Sequence, residues 1–275
     1  MGNDDAVKAG HARDWDEVAR LLPSLGHDAI FAVTAQAAGA LLDAVAVRAG
    51  SRLLDIGCGP AAWAADVVAR GIELVGIDLS AEMVEQARAR HSGVAGAARV
   101  EFRQGDAEAL PFEASTFDAA VSSYSVNGLP HPEVGVAEAY RVLRPGGRYA
   151  FATWCVQEGN DLFQLTRAAV ARHVSAGGDE PRRWAPAESE ALLRAAGFVG
   201  VRARVLPIVA RVERPEEVLH LAWTTGRSLR LLKSFGDEIH QKIAASLLEA
   251  ADQLRRGSYI ELAMPSVLAV GEKPA

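Results

Sequence analysis

Apolar residues change their spacing several times along the chain, and each change predicts a change of secondary structure. Short continuous apolar runs are typical of buried strands, whereas apolar residues three or four positions apart are typical of helices. Between residues 52 and 154 the two patterns alternate. Strands are predicted over residues 52–56, 73–78, 99–106, 117–126 and 145–154, and helices over residues 61–71, 80–91 and 132–143. This alternation is typical of an α/β fold with a parallel central sheet.

The two ends of the chain differ from this alternating part. The pattern over residues 1–50 predicts helix, which is best defined over residues 28–48. After Trp154 the pattern predicts helices over 158–176 and 185–198, a strand over 199–212, two or more helices over 215–256 and a last strand over 259–273. Two late strands that enclose a helical insertion predict an antiparallel hairpin at the edge of the sheet.

Composition and charge narrow the class of protein. Of the 275 residues, 49% are hydrophobic and 23% are charged, which is typical of a globular protein with a sizeable core. The formal net charge of −6 disfavours a nucleic-acid partner, because phosphate binding requires a basic surface. Cys58 and Cys155 form no metal-ligand spacing, so we expect neither a disulfide framework nor a metal site. No apolar run has the length of a membrane span or the core of a signal peptide, so we expect a cytoplasmic protein.

The stretch LLDIGCGPAAW, residues 53–63, places two glycines directly after the first predicted strand. A strand that ends in glycines and leads into a helix offers free backbone N–H groups at the carboxyl edge of the sheet, where nucleotide-like ligands bind. Gly57, Gly59 and Ala62 also fit the dinucleotide pattern G-x-G-x-x-G/A, and Asp78 follows at the distance that this pattern requires. The glycines alone therefore leave two cofactor classes open.

Three aspartates discriminate between these classes. Asp55 precedes Gly57 by two residues, and Asp78 and Asp106 end the second and third predicted strands. A carboxylate at position 55 would repel a pyrophosphate but attract an ammonium group, while the other two could accept hydrogen bonds from a ribose and an adenine amine. Such a ligand has an amine, a ribose and an adenine, which are the parts of S-adenosylmethionine. Asp78 and Asp106 could instead serve only as caps of the helices or turns that follow them.

Residues 50–153 resemble the class I S-adenosylmethionine-dependent methyltransferases, in particular the small-molecule group that includes the ubiquinone/menaquinone methyltransferases. The resemblance rests on the stretches LLDIGCGPAAW, VGIDLSAEMVEQAR, GDAEALPF, FDAAVSS and RVLRPGGRYAFATW, which occur in the family's order. It continues more loosely through ESEALLRAAGFVGVRA to the last strand.

This resemblance implies a Rossmann-like α/β methyltransferase fold. Its central sheet would be seven-stranded and mostly parallel, with an antiparallel C-terminal hairpin. The implied organisation is a helical N-terminal cover over residues 1–50, a cofactor-binding core over 51–154, and a part over 155–275 that completes the sheet and carries a helical substrate lid at about 212–256.

The same resemblance assigns contacts with the cofactor to ten residues. The methionine part is expected against Asp55, Gly57, Gly59, Pro60 and Ser123, and the adenosine part against Asp78, Leu79, Met83, Asp106 and Ala107. One position departs from the family pattern, because Ala61 stands where relatives usually have a third glycine. We expect the methyl group of Ala61 to reduce the space for the cofactor without abolishing cofactor binding.

Candidates for substrate contact and catalysis follow the fourth strand. Tyr124, Asn127 and His131 lie on the segment where the resembled fold meets its substrate, and His131 and Tyr124 are candidates for a general base. His131 could equally be a structural residue that precedes the helix starting at Pro132. Aromatic residues farther along supply apolar surface, and the further substrate candidates are Trp154, His220 and Trp223.

The expected function is methyl transfer from S-adenosylmethionine, with S-adenosylhomocysteine as product, to oxygen or carbon of a small, largely apolar metabolite. No metal, nucleic acid or membrane span is expected, and the enzyme is expected to be a monomer or homodimer. Three alternatives remain open: a fold relative that catalyses another step such as a cyclisation, a non-catalytic regulatory binding module, and a nicotinamide dehydrogenase, which Asp55 disfavours.

Overall fold

A computed structural model describes residues 3–25, 28–92, 99–155, 159–174, 184–223 and 235–275. Its ten strands are β1 Arg52–Ile56, β2 Glu73–Asp78, β3 Val100–Gln104, β4 Phe117–Ser123, β5 Leu143–Trp154, β6 Val199–Leu206, β7 Val209–Val212, β8 Arg255–Arg256, β9 Tyr259–Ala263 and β10 Ser266–Glu272. Seven of them form one sheet in the order β3-β2-β1-β4-β5-β10-β6. This sheet confirms the predicted Rossmann-like α/β fold.

The first five strands of the sheet run parallel, so that their carboxyl ends meet at one edge. β10 pairs antiparallel with both β5 and β6. The predicted antiparallel C-terminal pair is therefore present, with β10 inside the sheet and β6 at its edge.

Both late strands are shorter than predicted, because a proline interrupts each of them. Pro207 separates β6 from β7, and Pro265 separates β9 from β10. Proline has no N–H for the strand ladder and is disfavoured inside a sheet. Beyond the two prolines, β7 and β9 pair with each other, and with β8 they form a second sheet in the order β7-β9-β8. Within the described residues, β7 and β9 flank the predicted helical insertion at about 212–256, and β8 lies at its end.

Within the described residues, the α-helices are α1 Asn3–Leu25, α2 Asp28–Val45, α3 Ala64–Ala69, α4 Ala81–His91, α5 Pro132–Val142, α6 Asp161–Ala171, α7 Pro186–Ala195, α8 Pro215–Trp223 and α9 Asp237–Asp252. α2 ends earlier than predicted, and Ala46 after it adopts a left-handed backbone with φ 52°. Residues 158, 175–176 and 224–234 of the predicted helices lie outside the described residues. Among the described helices, none combines the length and the apolar character that a bilayer span requires.

Apolar side chains cover both faces of the main sheet, as parallel sheets require. Neighbouring residues of β1 serve opposite faces: Leu53 belongs to the core on the side of α2, α3 and α4, and Leu54 to the core on the side of α5 and α7. Because the faces are closed, the carboxyl edge of the parallel strands is the place where polar side chains converge.

Candidate functional site

The glycine loop begins directly after β1 and bends over the carboxyl edge of the sheet. Gly57 and Gly59 have φ angles of 73° and 52°, in the left-handed region that glycine adopts without steric cost. The N–H groups of Gly57 and Cys58 both donate to the carbonyl oxygen of Ile77, at 2.8 and 3.0 Å, and tie the loop to the end of β2. A Cβ atom on Gly57 would lie 2.3 Å from Cβ of Ser125, so that no side chain fits there.

Ala61 continues the same loop and also has a left-handed backbone, with φ 52°. Its side chain is buried, and its carbonyl oxygen lies 2.9 Å from Nε2 of His91. The third glycine of the family pattern is thus replaced by a residue that carries about 1 kcal/mol of backbone strain. Whether the added methyl narrows the ligand space stays a prediction.

Asp55 lies inside the sheet just before the loop and is 2% exposed. Its Oδ1 atom is buried without a hydrogen-bond partner among the described residues. Burial, and secondarily the charge of Asp78, raises the pKa of this carboxyl to about 8. A buried acceptor that lacks a donor is costly unless a ligand completes it. A cationic ammonium group fits this need.

Asp78 ends β2 and holds the loop in place. Its Oδ2 atom accepts from the N–H of Gly59 at 2.8 Å, and its Oδ1 atom accepts from the N–H of Ser80 at 2.9 Å. Burial raises the pKa of Asp78 in spite of these hydrogen bonds. The cap of α4 is Ser80, whose hydroxyl accepts from Met83 N–H, so Asp78 is not the N-cap. Each carboxylate oxygen keeps a further lone pair that could accept from a ribose hydroxyl.

Asp106 follows β3 and lies at the other end of the edge. Its Oδ1 atom accepts from the N–H of Glu108 at 2.8 Å. Its Oδ2 atom lies 2.6 Å from Nζ of Lys8, which also lies 2.8 Å from Oε2 of Glu108. Lys8 and Glu108 were not predicted, because Lys8 is 98 residues from Asp106 in a polar helix without a recognisable motif.

The remaining predicted adenosine contacts follow Asp78 or Asp106 along the chain. Leu79 is half-buried, and its carbonyl oxygen accepts from Gln104 Nε2 at 3.1 Å. Met83 is buried against Val18 and Ala19 of α1. Ala107 is half-buried beside Asp106. At the loop, Pro60 is buried next to Gly59.

The end of β4 carries the predicted substrate residues. Ser123 is half-buried, and Tyr124 after it has a left-handed backbone with φ 59°. The hydroxyl of Tyr124 lies 2.8 Å from Oγ of Ser266, and its ring centroid lies 4.2 Å from that of Trp154. Burial, partly offset by Ser266, raises the pKa of Tyr124 to about 12. A base at neutral pH needs the opposite shift, so the environment of Tyr124 disfavours that role.

His131 and Asn127 lie farther along the same segment. The ring of His131 forms no cap hydrogen bond with α5, and its Nδ1 atom lies 3.7 Å from Oε1 of Glu133, with both side chains exposed. Its backbone N–H donates to Oε1 of Glu108 at 2.6 Å. Oδ1 of Asn127 accepts from the hydroxyl of Thr153 at 3.3 Å. A catalytic role of His131 stays a prediction.

The structure brings Tyr124 and Trp154 together but places the other two aromatic-region candidates on α8. Trp223 contacts the ring of His240, with centroids 4.7 Å apart, and His220 is half-buried on the same helix. Within the described residues, the buried atoms Nε1 of Trp223 and Nε2 of His240 have no hydrogen-bond partner.

An apolar cavity of about 30 Å³ lies beside Trp154, at the end of β5. It is lined by Ile30, Trp154, Leu162, Phe163, Thr166, Leu221, Ala222 and Met264. The described ranges contain no group of three or more His, Cys, Asp or Glu side chains that could hold a metal ion. That the reaction needs no metal stays a prediction.

Comparison with known proteins identifies the fold and the family. Residues 54–151 match a family described as a methyltransferase domain. The fold resembles that of YcgJ from Bacillus subtilis, with a TM-score of 0.61 and 22% identity over 87% of this chain and 99% of that chain.

Two curated relatives carry the assignment further. The chain is 38% identical over 115 residues to a malonyl-[acyl-carrier protein] O-methyltransferase of Erwinia billingiae, which covers 42% of this chain and 43% of that protein. It is 34% identical over 207 residues to a demethylmenaquinone methyltransferase of Clavibacter sepedonicus, which covers 70% of this chain and 80% of that protein. Together with the glycine loop and the sheet order, these matches show that the chain belongs to the class I S-adenosylmethionine-dependent methyltransferases.

Proposed function

We propose that this enzyme transfers a methyl group from S-adenosylmethionine to oxygen or carbon of a small, largely apolar metabolite in a biosynthetic pathway. The observation that carries the proposal is Asp55, whose buried Oδ1 atom has no donor among the described residues and lies at the turn where cofactors of this family bind. When bound, S-adenosylmethionine supplies an electrophilic methyl group on a positively charged sulfur.

The residues at the carboxyl edge would divide the binding among them. Asp55 would hold the ammonium group, and Gly57 and Gly59 would let the backbone approach the methionine part. Asp78, already fixed by two backbone N–H groups, would accept from the ribose. Asp106 would accept from the adenine amine, with the Ala107 N–H beside it. The fixed orientation of these acceptors reduces the cost of ordering the site on binding.

The acceptor side supports an apolar substrate. Tyr124 and Trp154 are in ring contact, and the cavity beside Trp154 is lined almost wholly by apolar side chains. A surface that excludes water favours methyl transfer from the sulfonium, because the positive charge on sulfur is lost in the reaction. Since Tyr124 is a poor base, we infer that the substrate does not need deprotonation by this residue. Its acceptor oxygen would already be ionised, or its acceptor carbon would be activated by an enol or phenol group of the substrate itself.

The curated relatives suggest two acceptor classes. One is a demethylmenaquinone methyltransferase, and the other a malonyl-[acyl-carrier protein] O-methyltransferase. The first relative matches a larger part of this chain, so we place a ring acceptor with apolar substituents first. The buried Trp223 and His240 nitrogens support a polar group of the acceptor near α8. We further propose that the enzyme acts in the cytoplasm as a monomer or homodimer.

Calorimetry tests the cofactor part of the proposal. S-adenosylmethionine and S-adenosylhomocysteine should both bind the wild type, and Asp78→Ala should weaken binding strongly, since it removes an acceptor and frees the loop. The absence of any binding to the wild type would refute the proposed function.

An assay of S-adenosylhomocysteine release tests the acceptor. Release should be faster with a reduced quinone that bears an apolar substituent than with a malonyl thioester. A substrate that is consumed without S-adenosylhomocysteine release would favour the non-methylating alternative. If only the malonyl thioester causes release, the acceptor would be a carboxylate and not a ring.

A further inference from the structure

Lys8 of α1 joins the two carboxylates at the adenine end of the edge. Its Nζ atom lies 2.6 Å from Oδ2 of Asp106 and 2.8 Å from Oε2 of Glu108. The side chains of Lys8 and Asp106 are about three-quarters buried, and that of Glu108 is 2% exposed. Hydrogen bonds to both carboxylates outweigh the effect of burial and raise the pKa of Lys8. Lys8 thus places an ammonium group between these two side chains.

A second set of contacts fixes the following turns of α1. Oδ1 of Asp16 accepts from the Ser80 hydroxyl at 2.6 Å and from the Glu82 N–H at 3.3 Å, both at the start of α4. Farther along, Gln86 donates to the carbonyl oxygen of Ala19 at 2.7 Å. α1 thus contacts both the segment after β3 and helix α4, which carry the predicted adenosine contacts Asp106 and Met83.

Glu108 extends the bridge toward the substrate side. Its Oε1 atom accepts from the backbone N–H of His131 at 2.6 Å, directly before α5. Without the Lys8 ammonium, a buried Glu108 would face Asp106 as a like charge, with one backbone donor remaining. Leaving a buried carboxylate without its counter-charge is strongly unfavourable, so both carboxylates and the segment before α5 should shift.

We propose that Lys8 is a positioning residue for methyl transfer, which holds α1 closed over the adenine and fixes Asp106 and, through Glu108, the start of α5. This inference rests on the proposed function, because it takes Asp106 as the adenine acceptor. According to this proposal, closure of α1 over the cofactor and ordering of the segment before α5 occur together.

The test compares Lys8→Met with Arg20→Met. Arg20 lies on the same helix and pairs with Glu82 on the exposed side, away from Asp106. Calorimetry with S-adenosylmethionine should give a Kd about 10-fold higher for Lys8→Met, because the cofactor must then order α1 and Asp106 as it binds. Arg20→Met should stay within about 2-fold, since exposed ion pairs contribute little. Lys8→Arg should recover most of the affinity, because a guanidinium can bridge two carboxylates.

A ligand-free measurement separates positioning from simple helix anchoring. Lys8→Met should speed hydrogen exchange of the His131 amide, which is far from α1 in sequence, and Arg20→Met should not. If Lys8→Met does not fold, Lys8→Gln keeps a donor, removes the charge and gives the same comparison.

An unchanged or lower Kd for Lys8→Met would overturn the proposal, as would equal losses in Lys8→Met and Arg20→Met. Unchanged exchange at His131 would overturn the link to α5. These failures are distinct from failure of the proposed function, in which the wild type itself would not bind the cofactor.

Discussion

Along the carboxyl edge, Asp55 on the central strand β1 and Asp106 after the outermost strand β3 lie in opposite environments. At the methionine end, Asp55 is buried with an oxygen that no described residue satisfies. At the adenine end, Asp106 is partly exposed and already carries the Lys8 ammonium. The protein thus leaves one buried carboxyl group for the ligand to ionise and pair with, and it pairs the other with a cation of its own helix α1. On the proposed function, binding energy concentrates at Asp55, while Asp106 contributes orientation.

The pH dependence of stability should show the largest effect. Asp55 has a pKa of about 8 in the folded chain, against an ordinary value of 3.8. Between these values the folded state keeps a proton that the unfolded state has lost, so stability falls as pH rises from about 4 to about 8. The difference in unfolding free energy between wild type and Asp55→Asn should fall by up to about 1.4 kcal/mol per pH unit.

Urea unfolding of both proteins from pH 5 to 9 measures this difference. A difference that is constant with pH would show that Asp55 is already ionised in the free protein, and the contrast between the two ends would disappear.

Substitution of the loop glycines should give the next largest effect. Gly57→Ala combines an unfavourable φ with an overlap against Ser125 and should cost about 3 kcal/mol or more of unfolding free energy. Gly59→Ala has a similar φ but no heavy atom within 4 Å of the added Cβ, so it should cost only about 1 kcal/mol. Equal losses in chemical denaturation would mean that the Ser125 contact gives way.

Asp55→Asn should weaken S-adenosylmethionine binding by about 10- to 100-fold at pH 8, because the ammonium loses a charged partner. 5′-Methylthioadenosine, which lacks the amino-acid part, is the control ligand and should bind both proteins alike. An equal loss for both ligands in calorimetry would place the effect in the loop structure rather than in the ammonium contact.

Asp106→Asn should have a smaller effect, a loss of about 3- to 10-fold for both ligands. The asparagine keeps an acceptor oxygen for the adenine amine, and Glu108 still holds Lys8. A loss as large as that of Asp55→Asn would contradict the unequal division of binding energy.

His131→Ala should change least. The ring is partly exposed beside Glu133, and the hydrogen bond from the backbone N–H to Glu108 does not need the side chain. Turnover with the true acceptor should therefore stay within about 2-fold. A loss of 100-fold or more would make His131 a catalytic residue after all.

The sequence predicted the elements of the sheet more accurately than their ends. β1 and β2 lie where the apolar runs place them. The late strands were predicted too long because their apolar pattern continues through Pro207 and Pro265, although a missing N–H interrupts the ladder. The left-handed backbone of Ala61 and Tyr124 could not be predicted, since neither residue type favours it.

By itself, the sequence determined the α/β fold, the glycine loop and the three strand-end aspartates, because these depend on periods and spacings within a few residues. Only the tertiary structure decided how each aspartate is used. Burial of Asp55 depends on the packing of the whole sheet, and the Lys8 bridge joins residues 98 positions apart. Such contacts follow from where elements pack, which local spacing does not encode.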